Sequence, residues 1–196
     1  DDDEAWISRL QKHYETNPIE TEEPREPTLQ DKNLYNLCRP ERLLELTRKF
    51  TVFDNNIRKV ARYQQYFGVK RMMSRIRQKD DEGRREGGVI WHTQGSGKSI
   101  TMIMMSKNLT LADDLDNHRI ILVTDRTDLD EQLTNTFKSC GKEITRAKTG
   151  KHLGELVEDR GKQNISTIIN KFDAALNQKT FKNESKNIFV LVDESH

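Results

Sequence analysis

The chain has 196 residues, 33% hydrophobic and 33% charged, with a formal net charge of +1. Its two cysteines, Cys38 and Cys140, lie far apart without CxxC spacing, and its five histidines show no ligand spacing, which argues against a disulfide scaffold or a zinc ribbon. No apolar run approaches a membrane span and no secretory signal is visible, so a cytoplasmic protein without a membrane partner is expected.

The near-neutral total hides an asymmetry. Residues 1–31 carry 3 basic and 10 acidic groups, residues 32–86 carry 15 and 7, and residues 87–196 carry 15 of each. Only the basic middle has the charge to attract a polyanion. Residues 1–33 read as an acidic linker with Pro18, Pro24 and Pro27, in which Trp6, Ile7 and Leu10 form at most one docking turn. Residues 34–86 read as a helical segment. Pro40 opens a helix from Glu41 to about Phe53. A second is expected from about Asn56 to Gln78, with Tyr66, Val69, Met73 and Ile76 on its apolar face and Lys70, Arg71, Arg75 and Arg77 between them. Residues 79–88 are a loop.

From residue 87 to 196, strand and helix patterns alternate. Strands are expected at Val89–Trp91, Arg119–Thr124, Ile144–Ala147, Ile165–Ile169 and Ile188–Val192. Helices are expected at Ser99–Leu109, Leu129–Ser139, Leu153–Asp159 and Phe172–Leu176. Alternation of this kind predicts an α/β domain with a parallel sheet and helices on both faces.

Two segments carry chemistry. Thr93-Gln94-Gly95-Ser96-Gly97-Lys98-Ser99 stands between an expected strand and an expected helix, the context a phosphate-binding loop needs. Gly95 and Gly97 permit a tight turn with N–H groups facing phosphate oxygens, and the helix N-terminus adds partial positive charge. Lys98 reaches the β- and γ-phosphates of ATP, and the Ser99 hydroxyl ligates Mg²⁺. The strict G-x-x-x-x-G-K-[ST] pattern has Gly where this chain has His92. The second segment follows the apolar run Ile188–Val192. Asp193 would sit near the Mg²⁺, and Glu194 would polarise the attacking water. Ligands of an open parallel sheet bind beyond the carboxyl ends of its strands, so both segments converge on one edge.

Four segments in order now stand together: Arg62-Tyr63-Gln64-Gln65-Tyr66-Phe67-Gly68-Val69, Trp91-His92-Thr93-Gln94-Gly95-Ser96-Gly97-Lys98-Ser99, Val123-Thr124-Asp125-Arg126-Thr127-Asp128-Leu129-Asp130-Glu131-Gln132-Leu133, and Val192-Asp193-Glu194-Ser195-His196. Over roughly residues 34–196 the chain resembles the R subunit of type I restriction endonucleases, a superfamily 2 helicase-like DNA translocase. The resemblance implies a RecA-like P-loop NTPase sheet, the first motor domain, over residues 87–196. It implies that Arg62, Tyr63 and Gln65 recognise adenine, and that Thr124, Asp125 and Arg126 contact a DNA strand. Thr167 to Phe172 resembles a further DNA-facing block, with Ile169-Asn170 departing from its usual spelling.

The same resemblance implies double-stranded DNA and the methyltransferase (M) and specificity (S) subunits as partners. It also implies a parent enzyme that is an ATP-hydrolysing type I site-specific deoxyribonuclease. The family carries a nuclease domain before the motor and a second RecA-like domain after it, neither of which is seen here, so a fragment with poor turnover of its own is expected. Two alternatives stay open: another superfamily 2 DNA helicase, or a non-catalytic remnant that only binds partner subunits.

Overall fold

A computed structural model describes residues 8, 9, 11, 12, 15, 28–93, 95–115, 118–159, 164–177, 185 and 187–193. The chain divides into two compact units, Asp1–Arg48 and Lys49–His196. The first unit holds α1 (Leu29–Cys38) and nearly all of α2 (Pro40–Lys49). A capping box starts α1: the Thr28 hydroxyl accepts from Asp31 N at 3.3 Å, and the Asp31 carboxylate accepts from Thr28 N at 2.8 Å. The expected docking turn of Trp6, Ile7 and Leu10 lies outside the described residues.

The second unit opens with a feature that helical periodicity did not foresee. The expected helices over 41–53 and 56–78 are interrupted by an antiparallel hairpin, β1 (Thr51–Asp54) and β2 (Ile57–Val60), and the second helix begins only at α3 (Tyr63–Arg75). The reason is turn chemistry. Asn55 and Asn56 both take left-handed backbone, at φ 50° and 63°, the two-residue turn whose twist matches that of paired strands. Thr51, Val52, Ile57 and Val60 supply β-branched flanks. Lys107 Nζ donates to Thr51 O at 2.7 Å and Ser139 Oγ to Asp54 Oδ1 at 2.5 Å, which fasten the hairpin to the body of the unit.

Then follow α4 (Lys98–Thr110), β3 (Arg119–Thr124), α5 (Thr127–Ser139), β4 (Thr145–Arg146), α6 (Gly150–Glu158), β5 (Asn164–Ile168), α7 (Ile169–Leu176) and β6 (Ile188–Val192). The sheet is all parallel, in the order β4-β5-β3-β6. This is the expected α/β, RecA-like architecture. Alternate residues of β3 serve two faces. Ile121 and Val123 join Leu153, Leu156 and Val157 of α6, Ile165 of β5 and Ala175 of α7 in one buried cluster. Leu122 is in register with Ser166, whose hydroxyl meets Thr134 of α5 at 2.9 Å, so the other face lies under α5. Each large apolar side chain buried this way contributes roughly 1.5–3 kcal/mol.

The expected strand at Val89–Trp91 does not form. Val89 and Trp91 are each 90% exposed, and β6 is the edge of the sheet among the described residues. Arg75 Nε donates to Gly87 O at 2.5 Å and holds the segment near the end of α3. Three residues offer few ladder hydrogen bonds to offset the entropy of ordering Gly87 and Gly88 ahead of them.

Two properties of this fold are measurable. A Cβ on Gly150 would lie 2.8 Å from the Ala174 Cβ and 3.0 Å from backbone atoms of α7. Gly150→Ala should therefore destabilise the chain by about 1–3 kcal/mol, read by urea unfolding. Burial holds the His118 imidazole below its ordinary value of 6.5. The unfolded chain takes up that proton first, so stability is full above 6.5 and declines as pH falls towards the lowered folded value. His118→Gln should flatten this decline below pH 6.5, read by urea unfolding across a pH series.

Candidate functional site

The phosphate loop is shaped by its glycines. Gly95 and Gly97 sit at φ 74° and 88°, left-handed backbone that other residues reach only with strain. Ser96 N donates to Thr93 O at 3.2 Å, closing the turn, and Gly97 is the N-cap of α4. The N–H groups of the first helical turn are thus presented at the loop. His92, which replaces the usual glycine, acquires a physical role: its Nδ1 lies 3.1 Å from Ser96 Oγ and braces the loop across its mouth. Gln94 lies outside the described residues.

Lys98 is the first residue of α4, and Asp193 follows the last residue of β6. The parallel pairing of β6 with β3 ends as Asp193 N donates to Val123 O at 2.9 Å. This lays the carboxylate over the C-terminal edge of the sheet, where Asp193 Oδ1 is 3.6 Å from Lys98 Nζ. The two side chains are 95 positions apart in sequence and partly exposed, 32% and 16%. Ser99 follows Lys98 on the same helical turn. A hydroxyl and a carboxylate beside a helix N-terminus are the oxygen donors that Mg²⁺ takes together with phosphate oxygens. No cluster of three or more His, Cys, Asp or Glu that could hold a metal occurs among the described residues. Glu194 lies outside the described residues.

The residues expected to recognise adenine divide into two environments. Gln65 is 5% exposed and works on the loop: Nε2 donates to Gly97 O at 3.2 Å and to Thr101 Oγ1 at 3.3 Å, while Oε1 accepts from Arg62 N at 3.0 Å. Both amide protons are therefore engaged inside the protein. A Cβ on Gly97 would stand 2.9 Å from that Nε2, so the Gln65 amide would have to shift off Gly97 O to make room. Tyr63 is 71% exposed, and Phe67, one turn later, is 44% exposed. Both line an open cleft of about 1460 Å³ with Arg62, Thr93, Gly95 and Ser96. Phe67 did not stand out in the sequence; its spacing of four from Tyr63 was the available signal. The neighbouring Tyr66 is instead core, its ring 4.6 Å from that of Phe50.

The segment after β3 is also mixed. Thr124 is buried, and its hydroxyl donates to Arg126 O at 3.2 Å. Asp125 and Arg126 are exposed. The Arg126 guanidinium grips Asp128 through two hydrogen bonds of 3.2 and 2.6 Å and holds that carboxyl below the usual range. No helix among the described residues is long and apolar enough to cross a membrane.

With this geometry in place, comparison with known proteins is informative. Residues 64–196 match the SWI2/SNF2 ATPase family. The chain is 40% identical over 184 residues to the type I restriction enzyme HindI endonuclease subunit of Haemophilus influenzae, covering 83% of this chain and 17% of that protein. It is 33% identical over 170 residues to a candidate MjaIXP endonuclease subunit of the same enzyme type from Methanocaldococcus jannaschii, covering 83% and 16%. It is also 30% identical over 168 residues to the C-terminal part of a candidate MpnIIP endonuclease subunit from Mycoplasma pneumoniae, covering 79% of this chain and 80% of that one. The chain thus spans about a sixth of the first two relatives. A glycine loop whose Lys98 meets Asp193 at one edge of a parallel sheet, together with matches of this extent, means that the chain belongs to the SWI2/SNF2 ATPase family, among the endonuclease subunits of type I restriction enzymes.

Proposed function

We propose that this chain is the ATP-binding motor part of a type I restriction enzyme, acting in the cytoplasm on double-stranded DNA in a complex with methyltransferase and specificity subunits. The parent enzyme would couple ATP-driven translocation to endonucleolytic cleavage. The observation that carries the reading is the approach of Lys98 Nζ to Asp193 Oδ1, 3.6 Å, at the sheet edge where the loop amides point.

Each side chain has a task in this reading. The N–H groups around Gly95, Gly97 and Lys98 bind phosphate oxygens, and Lys98 turns from Asp193 to the β- and γ-phosphates. Ser99 and Asp193 would hold Mg²⁺, which neutralises phosphate charge when bound. Glu194 orients the attacking water. Tyr63 and Phe67 offer a face to the adenine ring, with Arg62 at its edge. Gln65 holds the loop against α3. Asp125 and Arg126 face the DNA backbone, with Thr124 bracing the turn from within.

Titration with a fluorescent ATP analogue tests the core of this reading. Magnesium-dependent binding is expected, and Lys98→Ala should weaken it at least about tenfold, since a charge-assisted phosphate contact is lost. Binding that is indifferent to magnesium and to Lys98 would favour an interaction module instead. Gly97→Ala should weaken binding by a similar factor, because left-handed backbone costs a non-glycine residue about 1–2 kcal/mol. Adding Gln65→Ala removes the collision but not the strain, so the double variant should recover only part of the affinity.

A further inference from the structure

Asp130 is fully buried in the first turns of α5 and has no part in the nucleotide chemistry above. Its Oδ2 accepts from Arg146 Nε, while Oδ1 has no hydrogen-bond partner. Arg146 stands on the two-residue strand β4, and its Nη2 also donates to Thr127 O at 3.2 Å. A half-satisfied buried carboxylate is poor value as a stabiliser, since desolvation opposes the Coulombic gain, and its best-attested use is to select one arrangement of packed elements. One turn further along α5, Thr134 meets Ser166, the residue in register with Arg146. Two polar contacts four residues apart thus key α5 onto β4 and β5. A slide of the helix along its axis breaks both.

What depends on that key is the loop just before the helix. Arg126 O accepts from Asp130 N at 3.1 Å and from Thr124 Oγ1 at 3.2 Å. The loop also begins one residue beyond Val123, whose carbonyl holds Asp193 N.

We propose that the buried Asp130–Arg146 pair is a positioning device: by fixing the axial register of α5 it places Arg126 where it can meet a DNA phosphate beside the nucleotide edge. This rests on the reading of residues 124–126 as a DNA contact. Asp130 and Arg146 act through Arg126 and touch no DNA themselves.

The test is duplex DNA affinity of this chain by fluorescence anisotropy across a salt series, with fluorescent ATP-analogue binding measured in parallel. Asp130→Asn should weaken DNA binding about fivefold or more and lower the salt slope by about one phosphate contact, matching Arg126→Ala. The Asp130→Asn/Arg126→Ala double variant should lose no more than Arg126→Ala alone. Arg146→Lys should restore part of what Arg146→Met loses, and nucleotide affinity should stay within about twofold in Asp130→Asn. Additive losses overturn the proposal, as does a parallel loss of nucleotide affinity. If the unaltered chain has no affinity for DNA, both this proposal and the DNA reading fail, while magnesium-dependent nucleotide binding still stands or falls separately.

Discussion

The rest of the site depends on the pairing of β6 with β3. An ammonium on a helix N-terminus and a carboxylate 95 positions later can serve one triphosphate only if a rigid element carries the second to the first. The parallel register does so: Val123 faces Val192, and one further hydrogen bond, from Asp193 N to Val123 O, carries the ladder past the end of the strand. The acid is therefore held by backbone geometry and needs no side-chain scaffold. Charges 3.6 Å apart attract, yet both remain partly exposed, so solvent screens the contact.

A second constraint joins the cleft lined by Tyr63 and Phe67 to the glycine loop. Gln65 is buried between α3 and α4, and its amide ties Gly97 O and Thr101 to the first turn of α3. The exposed rings of Tyr63 and Phe67 stand on that same helix. A displacement of α3 by a base stacked on those rings would reach the loop directly through one hydrogen-bonded amide. The hairpin β1–β2 is fastened to α4 through Lys107 and to α5 through Ser139.

Much of the domain was legible because its signals are local. Ile120–Val123 and Ile188–Val192 are continuous apolar runs and lie in strands Arg119–Thr124 and Ile188–Val192. The helix after the loop and the three that follow lie where periodicity put them, to within a few residues at their starts. Two elements were misread for identifiable reasons. A break between two helices is expected near Asp54-Asn55, but the residues on either side of it pair as strands, because Asn55 and Asn56 both take the left-handed backbone of a tight hairpin turn. Val89–Trp91 looks like a strand by composition, but composition does not say whether three residues can hold a sheet edge. Gln65 and Thr124, expected from the resemblance to meet adenine and DNA, are both buried and hydrogen-bonded within the protein, a matter of one step around a helix or along a strand.

The sequence by itself determined the local groups: a glycine-lined turn with Lys98 and Ser99, an acid at the end of an apolar run, and an α/β order of elements, all set by residue type and short-range spacing. The tertiary structure alone decided which partners those groups have. It set Lys98 against Asp193, assigned Gln65 to the loop, gave Tyr63 and Phe67 the cleft, and locked Asp130 to Arg146. Those outcomes depend on strand order, register and helix rotation, which arise from packing between segments far apart in the chain and leave no local trace in it.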